Sequence, residues 1–267
     1  MSESNVSAST SVAGQGESMS ETAAGSKVEY LVRFGAKQRV EHFITMIDFV
    51  GLVVTGLPQK FYTARWAQWL IGTLGGIDTV RWLHRFFGVV LIISVILHAY
   101  GAVAAILSRK VHFTMAVNKR DFGDAIQTLR YYLGLADHPA RFDRYDYKQK
   151  WEYWSLMIGN VIMILSGLTL MYPTVVARLG PGEIVPAAKV AHSNEGLMAF
   201  LVITIWHVFN AHLNPDVFPF DASIFTGKIS RERMEHEHPL ELERLEGRPV
   251  VGHHGASATG HGGRPVG

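Results

Sequence analysis

Four long apolar segments constrain the fold of this 267-residue chain more than any other feature of its sequence. They run from about Val40 to Leu57, Trp82 to Leu107, Trp151 to Tyr172 and Ala187 to His212. A helix of roughly 20 apolar residues crosses the hydrocarbon core of a bilayer, which is about 30 Å thick. In lipid, only helices and closed barrels satisfy every backbone hydrogen bond. The segments therefore predict an all-α membrane protein, a four-transmembrane-helix bundle within residues 28–235.

Both termini differ in composition from the bundle. Residues 1–27 are rich in Ser, Ala, Gly and Glu and lack the basic and apolar regions of a signal peptide. Residues 236–267 follow the last span, and from 247 onward they are mostly Gly, Pro, His and small residues. Neither composition supports a packed core. We expect a disordered N-terminal tail over 1–27 and a cytoplasmic C-terminal tail over 236–267 that ends in disorder.

Basic residues are unevenly distributed among the loops. Loops 58–81 and 173–190 contain few, whereas the N-terminal flank carries Arg33, Lys37 and Arg39. The loop between the second and third segments carries Arg109, Lys110, Lys119, Arg120, Arg130, Arg141, Arg144, Lys148 and Lys150. By the positive-inside rule, this loop and both termini lie in the cytoplasm. Trp66 and Trp69 then predict a short interfacial helix on the outer side.

Two histidine pairs lie on the second and fourth segments: His84 with His98, and His192 with His207. Spacings of 14 and 15 residues place each pair on roughly one helix face, about 21–22 Å apart along the axis. Both segments run from outside to inside, so His84 and His192 share the outer depth, and His98 and His207 the inner depth. Because histidine in hydrocarbon is rare and costly, this arrangement indicates a function. It fits two flat cofactors stacked across a bilayer.

A b-type haem held by two histidines takes its imidazoles from facing helices of a bundle. By this reasoning His84 and His192 bind an outer haem b. His207 binds an inner haem b, and the second ligand is either His42, at the start of the first segment, or His98. The histidine that is left over has another role, or a third haem is present.

Residues close to these histidines agree with the interpretation. Gly88 and Gly196 each follow a histidine by four residues and leave room for a porphyrin edge. Arg81 and Arg85 flank the first histidine of the second segment and are suited to bind haem propionates. Asp48 lies inside the first segment, where it either relays protons to a quinone or pairs with a polar group on a neighbouring helix.

The chain contains no cysteine. It therefore has no C-x-x-C-H site for a c-type haem and no thiolates for an iron–sulfur cluster. It also has no G-x-G-x-x-G motif for a nicotinamide or flavin. Electrons must enter or leave through a quinone or another subunit. A transporter that binds one metal ion through these histidines is disfavoured, because the ligands of one ion lie within a few ångström of each other.

This pattern of histidines resembles that of the cytochrome b (gamma) subunits of respiratory formate dehydrogenases and related bacterial dihaem cytochromes b. The resemblance covers about residues 33–235, with one histidine at the start of each of the first two spans and two on the fourth. It implies a bacterial inner-membrane protein in which His84 pairs with His192, and His42 with His207, to ligate the iron of two haems. His98 is an addition to the family pattern and makes the second span similar to the two-histidine helix of quinol–cytochrome c reductase cytochrome b.

The sequence RYDYKQK at 144–150 resembles a second phrase of this family, R-Y-N-x-x-Q-K. In the family this phrase helps line the menaquinone pocket beside the inner haem. The resemblance implies a quinone site formed by Asp146, Gln149 and His207, with Asp146 in place of the asparagine. A basic juxtamembrane segment in contact with anionic lipid is a compatible second interpretation.

These features together predict an integral membrane b-type cytochrome that serves as the electron-transfer subunit of a respiratory oxidoreductase complex. Its cofactors would be two haem b, and its substrate a quinone, either menaquinone or ubiquinone. The partner would be an iron–sulfur or multihaem cytochrome c subunit that connects to a catalytic subunit. The alternative is a stand-alone membrane quinol oxidoreductase that passes electrons to a diffusible acceptor. Nothing in the sequence indicates a nucleic-acid partner.

Overall fold

The computed structural model describes residues 28–108, 114–215, 217–218 and 220–247. The predicted tail 1–27, the end of the C-terminal tail from 248 onward, and Arg109 and Lys110 of the basic loop lie outside these residues. The described chain is predominantly helical and contains two short strands.

Helices α1 (Ala36–Lys60), α2 (Arg65–Thr73) and α3 (Ile77–Leu107) form the first half of the molecule. Helix α2 is the short helix that the tryptophans predicted. Gly76, at φ +97°, precedes α3 and permits a backbone conformation that residues with a Cβ rarely adopt.

The second half begins with α4 (Lys119–Tyr132) and α5 (Tyr147–Met171), followed by α6 (Pro173–Leu179). Pro173 lacks the amide hydrogen that would continue α5 and instead occupies the first turn of α6. Helix α7 (Ile184–Leu201) continues without a break through two π-helical segments, Val202–His207 and Phe209–Leu213.

Among the described residues, four helices are long and apolar enough to span a membrane: α1, α3, α5 and α7 with its π-helical continuation. An 18-residue stretch within each has a mean hydropathy of 1.6, 2.4, 1.7 and 1.6, respectively. Most large apolar side chains on them are exposed, as expected for helices that face lipid. The predicted four-helix membrane fold is confirmed.

The spanning helices begin earlier than the apolar segments do. Helix α1 starts at Ala36 and α5 at Tyr147, each four residues before the predicted boundary. The reason is local, because Gln38 and Gln149 each accept a hydrogen bond from the backbone three residues earlier and fix the first turn within polar sequence. Hydropathy marks the lipid-facing part of a helix and does not detect such a start.

The spanning helices pack in two pairs, α1 with α3 and α5 with α7. The pairs contact each other through α1 with α7 and α3 with α5. At the end of the bundle that carries α2 and α6, here called the α2 end, Lys60 of α1 donates to Asn194 of α7 over 2.9 Å. These contacts unite the two pairs into one bundle.

A small folded layer covers the opposite end. Strand β1 (Tyr30–Val32) pairs antiparallel with β2 (Lys228–Ser230), with Leu31 opposite Ile229. Short helices α8 (Ser223–Thr226), α9 (Arg231–Glu237) and α10 (Pro239–Leu245) complete the layer. Its core consists of Ile229, Met234 and Leu242, with Leu31 packed against it. We call this end of the bundle the sheet end.

The two helix pairs are related by an internal repeat. Residues 33–57 align with 144–168 at a constant offset of 111, without gaps. Nine of these 25 positions are identical: Arg33/Arg144, Lys37/Lys148, Gln38/Gln149, Glu41/Glu152, Met46/Met157, Ile47/Ile158, Val50/Val161, Gly56/Gly167 and Leu57/Leu168. Because α3 and α7 also share His-x-x-x-Gly at His84 and His192, each repeat consists of two spanning helices.

Candidate functional site

The structure brings His84 of α3 and His192 of α7 together near the α2 end. Their ring centroids lie 6.1 Å apart, with the ring planes nearly perpendicular at 88°. Two imidazoles that bind one metal ion from opposite sides, through bonds of about 2 Å, have centroids about 6 Å apart. The separation matches an iron position between the two rings.

A hydroxyl group on the neighbouring helix orients each of these two rings. Thr55 of α1 lies 2.9 Å from Nδ1 of His84, and Ser166 of α5 lies 3.0 Å from Nδ1 of His192. Each hydroxyl donates its own hydrogen to a carbonyl one turn earlier, on Gly51 and Ile162 respectively. It therefore accepts a hydrogen bond from Nδ1, which leaves the Nε2 lone pair of each histidine available for a metal.

Glycines allow the same helices to approach these rings closely. A Cβ atom at Gly56 would lie 3.0 Å from Cε1 of His84, and one at Gly167 would lie 3.2 Å from Cε1 of His192. These glycines directly follow Thr55 and Ser166, so one dipeptide in each repeat both orients the ring and makes room for it.

The glycines that were singled out in the sequence, Gly88 and Gly196, have a more open environment. No heavy atom of the described residues lies within 4 Å of a Cβ built at Gly88, and the nearest to Gly196 is Cε of Met163, at 3.5 Å. Open space therefore lies one turn from His84, whereas a flexible methionine side chain lies against the glycine one turn from His192. Arg81 and Arg85 are exposed close by on α3, and Arg81 forms an ion pair with Asp78 at 3.6 Å.

A second histidine pair lies toward the sheet end. His42 of α1 and His207 of the π-helical segment have ring centroids 6.3 Å apart and an interplanar angle of 34°. Nδ1 of His207 donates to the carboxylate of Glu152 on α5. A carboxylate in this position fixes the ring and directs its other nitrogen toward a ligand.

His98, the competing candidate, has different neighbours. Its Nε2 lies 3.1 Å from the Tyr153 hydroxyl and its Nδ1 lies 3.4 Å from Glu41. His42 and His207 thus face each other, and His98 contacts a tyrosine.

The π-helical turns explain the unequal histidine spacings. His84 and His98 are 14 residues apart on the regular helix α3, whereas His192 and His207 are 15 apart. The wider π-helical turn from Val202 to His207 absorbs the additional residue and so keeps His207 close to the face that carries His192. Such turns are frequent at functional sites.

The chemistry of the donors fits b-type haem. Each site offers two imidazoles and no thiolate, and in each pair at least one Nδ1 is engaged by a hydrogen bond. Among the described residues, no group of three or more His, Asp or Glu side chains could hold a metal ion. A flat group that supplies the remaining coordination positions is therefore better suited to these pairs than an isolated ion.

The motif at 144–150 lies at the start of α5. Asp146 caps this helix by accepting from the Gln149 backbone over 2.7 Å, and Gln149 accepts in return from Asp146. Burial raises the pKa of the Asp146 carboxyl. Lys150 is buried in an ion pair with Asp121 of α4, at 2.7 Å. A cavity of about 170 Å³ beside the motif is lined by residues that include Arg144 and Lys150.

Asp48 of α1 lies between the levels of the two histidine pairs. It is six residues after His42 and seven before Thr55, hence about 10 Å along the axis from each. Its side chain is 1% exposed, and neither carboxylate oxygen has a hydrogen-bond partner among the described residues. Neither of the two predicted roles for Asp48 is assigned by these contacts.

Four polar residues of the site were not found by sequence reasoning: Thr55, Ser166, Glu41 and Glu152. Thr55 is equivalent to Ser166, and Glu41 to Glu152, in the internal repeat. An alignment of the two repeats would therefore have identified all four. The similar phrases Thr-Gly-Leu at 55–57 and Ser-Gly-Leu at 166–168 are the local signal of this repeat, and a glutamate lies 14 residues before each.

Comparison with known proteins finds relatives that cover most of the chain. The chain is 26% identical over 227 residues to the nitrate-inducible formate dehydrogenase cytochrome b556(Fdn) subunits of Escherichia coli K12 and Shigella flexneri. The alignment covers 83% of this chain and 95% of each relative. The formate dehydrogenase cytochrome b556(fdo) subunit of E. coli K12 is 26% identical over 184 residues, which are 68% of this chain and 78% of that protein. No protein-family model matches.

The four spanning helices and these similar proteins together support one class, a membrane cytochrome b of electron transport. More specifically, the chain is similar to the cytochrome b556 subunits of formate dehydrogenases, which confirms the resemblance drawn from its sequence.

Proposed function

We propose that this chain is the membrane subunit through which a respiratory oxidoreductase complex exchanges electrons with a quinone pool, and that it holds two haem b groups. The observation that carries the proposal is the occurrence of two facing histidine pairs, His84 with His192 and His42 with His207, each with a centroid separation near 6 Å. Haem iron held by two imidazoles supplies reversible one-electron transfer.

The protein's own residues fix three of the four proposed ligands. Thr55 and Ser166 hold Nδ1 of the first pair, and Glu152 holds Nδ1 of His207. Close packing of Gly56 and Gly167 against the rings restricts their rotation. Such support keeps the imidazoles in one tautomer and orientation, which sets both haem affinity and redox potential.

The two pairs lie at different depths in the bundle. His42 and Thr55, which contacts His84, are 13 residues apart on α1. This spacing corresponds to about 20 Å along the helix axis. With the termini in the cytoplasm, as the basic residues predict, the His84–His192 pair lies toward the outer face and the His42–His207 pair toward the inner face of a bacterial inner membrane. Electrons could then cross most of the hydrocarbon core within this one chain.

We place a quinone site at the inner pair, where Asp146, Gln149 and His207 were predicted to contribute. The capping bonds of α5 use one oxygen each of Asp146 and Gln149 and hold these side chains beside the start of the span. The Gln149 side-chain amide nitrogen remains suited to donate to a quinone carbonyl. Menaquinone and ubiquinone both present such a carbonyl.

The homology supports a complex in preference to a stand-alone enzyme. The relatives are named as subunits of formate dehydrogenases. By analogy, we propose that this chain assembles with a catalytic subunit and an electron-transfer subunit that carries iron–sulfur clusters or c-type haems. Since the chain contains no cysteine, any iron–sulfur cluster bound through thiolates must belong to the partner.

The test is to purify the chain in mild detergent from its native membrane and to titrate its visible spectrum. Two b-type haems per chain, two separable reduction steps and reduction by a short-chain quinol are expected. His192→Ala should remove one haem and His207→Ala the other. The matched pair His42→Ala and His98→Ala separates the two candidates: the first should lose the inner haem and the second should retain it.

Contrary results are equally clear. A protein without a b-type spectrum would overturn the proposal. Loss of the inner haem from His98→Ala alone would overturn the assignment of His42. Mass measurement of the intact detergent-solubilised complex shows whether partner subunits are bound. A chain that is isolated without partners and is fully active would support the stand-alone alternative.

A further inference from the structure

The internal repeat gives the bundle two corresponding corners at the sheet end. The offset of 111 relates Glu41 to Glu152 and His42 to Tyr153. On the partner helices, His98 follows His84 as His207 follows His192. The facing pair His42 and His207 therefore has a counterpart in Tyr153 and His98. The counterpart has the same architecture, except that a phenol stands in place of one imidazole.

Contacts in the two corners agree with this correspondence. The ring centroids of His98 and Tyr153 are 6.0 Å apart, compared with 6.3 Å for His42 and His207. Glu41 contacts Nδ1 of His98, as Glu152 contacts Nδ1 of His207. In both corners a carboxylate contacts Nδ1 of a histidine and so leaves its Nε2 available to another group.

The His98–Tyr153 corner is nevertheless built for a different ligand. Tyr153 lies within hydrogen-bond distance of His98, at 3.1 Å, and a tyrosine hydroxyl both donates and accepts hydrogen bonds. With its Nδ1 hydrogen directed to Glu41, His98 accepts at Nε2. The corner thus offers a donor and acceptor pair of neutral groups, which suits an oxygen-bearing ring better than a second haem.

This corner is open at the side of the bundle. The His98 side chain is 37% exposed, and the neighbouring residues Leu97 and Tyr100 are 61% and 74% exposed. Trp154 packs edge-on against Tyr153, with centroids 5.6 Å apart, and is itself 37% exposed. In a spanning helix these surfaces face lipid, where polar groups are costly unless they serve a function. A ligand can therefore arrive from within the bilayer.

We propose that His98 and Tyr153 form a second quinone-binding site for a quinone that enters laterally from the lipid. The Tyr153 hydroxyl donates to a head-group oxygen, and Nε2 of His98 accepts from the head-group hydroxyl of the reduced form. The proposal rests on the quinone reactivity proposed above and adds a site distinct from the one at Asp146 and Gln149. A quinone matches the corner because it is neutral, dissolves in lipid and carries oxygens on an aromatic-sized ring that can pack beside Trp154.

Photoaffinity labelling of the haem-loaded complex in phosphatidylcholine nanodiscs tests the site directly. The probe is a short-chain azidoubiquinone, and decylubiquinone is the competitor. Label is expected within 94–107 and 151–157, and decylubiquinone should displace it. Tyr153→Phe should raise the apparent Kd of decylubiquinone about 2- to 12-fold, and His98→Phe should do the same for decylubiquinol on the pre-reduced complex, because each removes one hydrogen bond to the ligand.

Tyr100→Phe is the matched control, because it deletes the same hydroxyl from an exposed tyrosine two residues from His98. It should leave the apparent Kd unchanged, and all three variants should retain two haems per chain. This retention separates a ligand-binding role from a structural one.

Other outcomes overturn the proposal in different ways. Label confined to 144–150 and to the helix of His207, unaffected by the variants, would leave only the first quinone site. Label that decylubiquinone does not displace would show a surface for lipid alone. Loss of one haem from His98→Phe would make His98 a haem ligand. Failure of short-chain quinol to reduce the unaltered protein would instead overturn the function proposed above.

Discussion

Arg33 and Arg144 donate hydrogen bonds to each other's backbone carbonyl oxygens, over 2.6 and 2.7 Å. Both also reach Glu241 of α10, which receives Nη1 of Arg33 on one carboxylate oxygen and Nη1 of Arg144 on the other. The two arginines are equivalent positions of the repeat, so a single glutamate from the C-terminal segment closes a nearly symmetric clasp. This clasp ties the starts of α1 and α5 to the last helix.

Glu241→Gln should loosen the clasp severely. Arg33 and Glu241 are each 3% exposed, and burial already lowers the pKa of Arg33. Removal of one charge from a buried pair leaves the other uncompensated and typically costs about 3–5 kcal/mol. We expect amide hydrogen exchange in α10 to accelerate at least about 100-fold, if it opens locally.

Arg244→Ala is the control for that variant. Arg244 pairs with Asp143 at 2.6 Å, but both side chains are more than 40% exposed. Such pairs contribute about 1 kcal/mol or less, so exchange in α10 should change by less than about fivefold. Equal effects from the two variants would mean that the burial of Glu241 has no special importance.

Ser166→Ala should weaken haem binding at the His84–His192 pair. The substitution removes the acceptor that holds Nδ1 of His192. At metal sites, the loss of such a partner typically lowers metal affinity about 10- to 100-fold. Soret titration of the apoprotein with haemin measures the effect. Thr169→Val is the control, since its exposed hydroxyl only donates to its own helix, at the Leu165 carbonyl. Unaltered haem affinity in Ser166→Ala would contradict this role.

Gly88→Ala should separate haem binding from folding. A Cβ at Gly88 meets no described atom within 4 Å, so the apoprotein should fold normally, and the helix itself gains about 0.5–1 kcal/mol. If a porphyrin edge lies over this glycine, the added methyl crowds it at a cost of about 1–3 kcal/mol, or roughly 5- to 150-fold in affinity. Haem occupancy and the thermal stability of the apoprotein are both measured for Gly88→Ala and the unaltered chain. Occupancy should fall in the variant, and stability should not.

The equivalent substitution Gly123→Ala in α4 also meets no described atom, and it lies away from the histidines. It should leave both haems in place. A Gly88→Ala protein that binds haem as tightly as the unaltered chain would show that no cofactor lies over Gly88.

The spans and the histidine pairing at the α2 end were predictable because both depend on local sequence. Hydropathy over about 20 residues reports lipid exposure, and equal depth on parallel segments brings His84 and His192 together without tertiary information. Which of His42 and His98 lies opposite His207 was not predictable from the residues alone. It depends on which side of α1 faces α7, and hence on packing across the bundle.

The π-helical turn and the sheet end were also beyond sequence reasoning. The 15-residue spacing of His192 and His207 was interpreted with regular α-helical geometry, in which the additional residue rotates a side chain by about 100°. In the structure the π-helical turn removes that rotation. At the sheet end, Glu241 lies 208 residues from Arg33, and no local pattern signals a contact of that range.

Stability of the sheet end should decrease as pH falls below about 6.5, because His238 is buried in its neutral form. Its Nδ1 donates to the Asp143 carbonyl over 2.8 Å, and its Nε2 lies 3.0 Å from the guanidinium of Arg33, so no position remains for a second proton. Burial, with Arg33 nearby, lowers the pKa of His238 to about 3. The unfolded chain binds this proton near pH 6.5 and the folded chain does not, so stability present above that pH is lost as pH falls toward 3, by about 2 kcal/mol at pH 5.

Hydrogen exchange of α10 between pH 7.5 and 5, corrected for intrinsic rates, should show this loss. His238→Gln should be less stable at pH 7.5 but nearly independent of pH in this range, whereas an unchanged slope in the variant would assign the effect to another group.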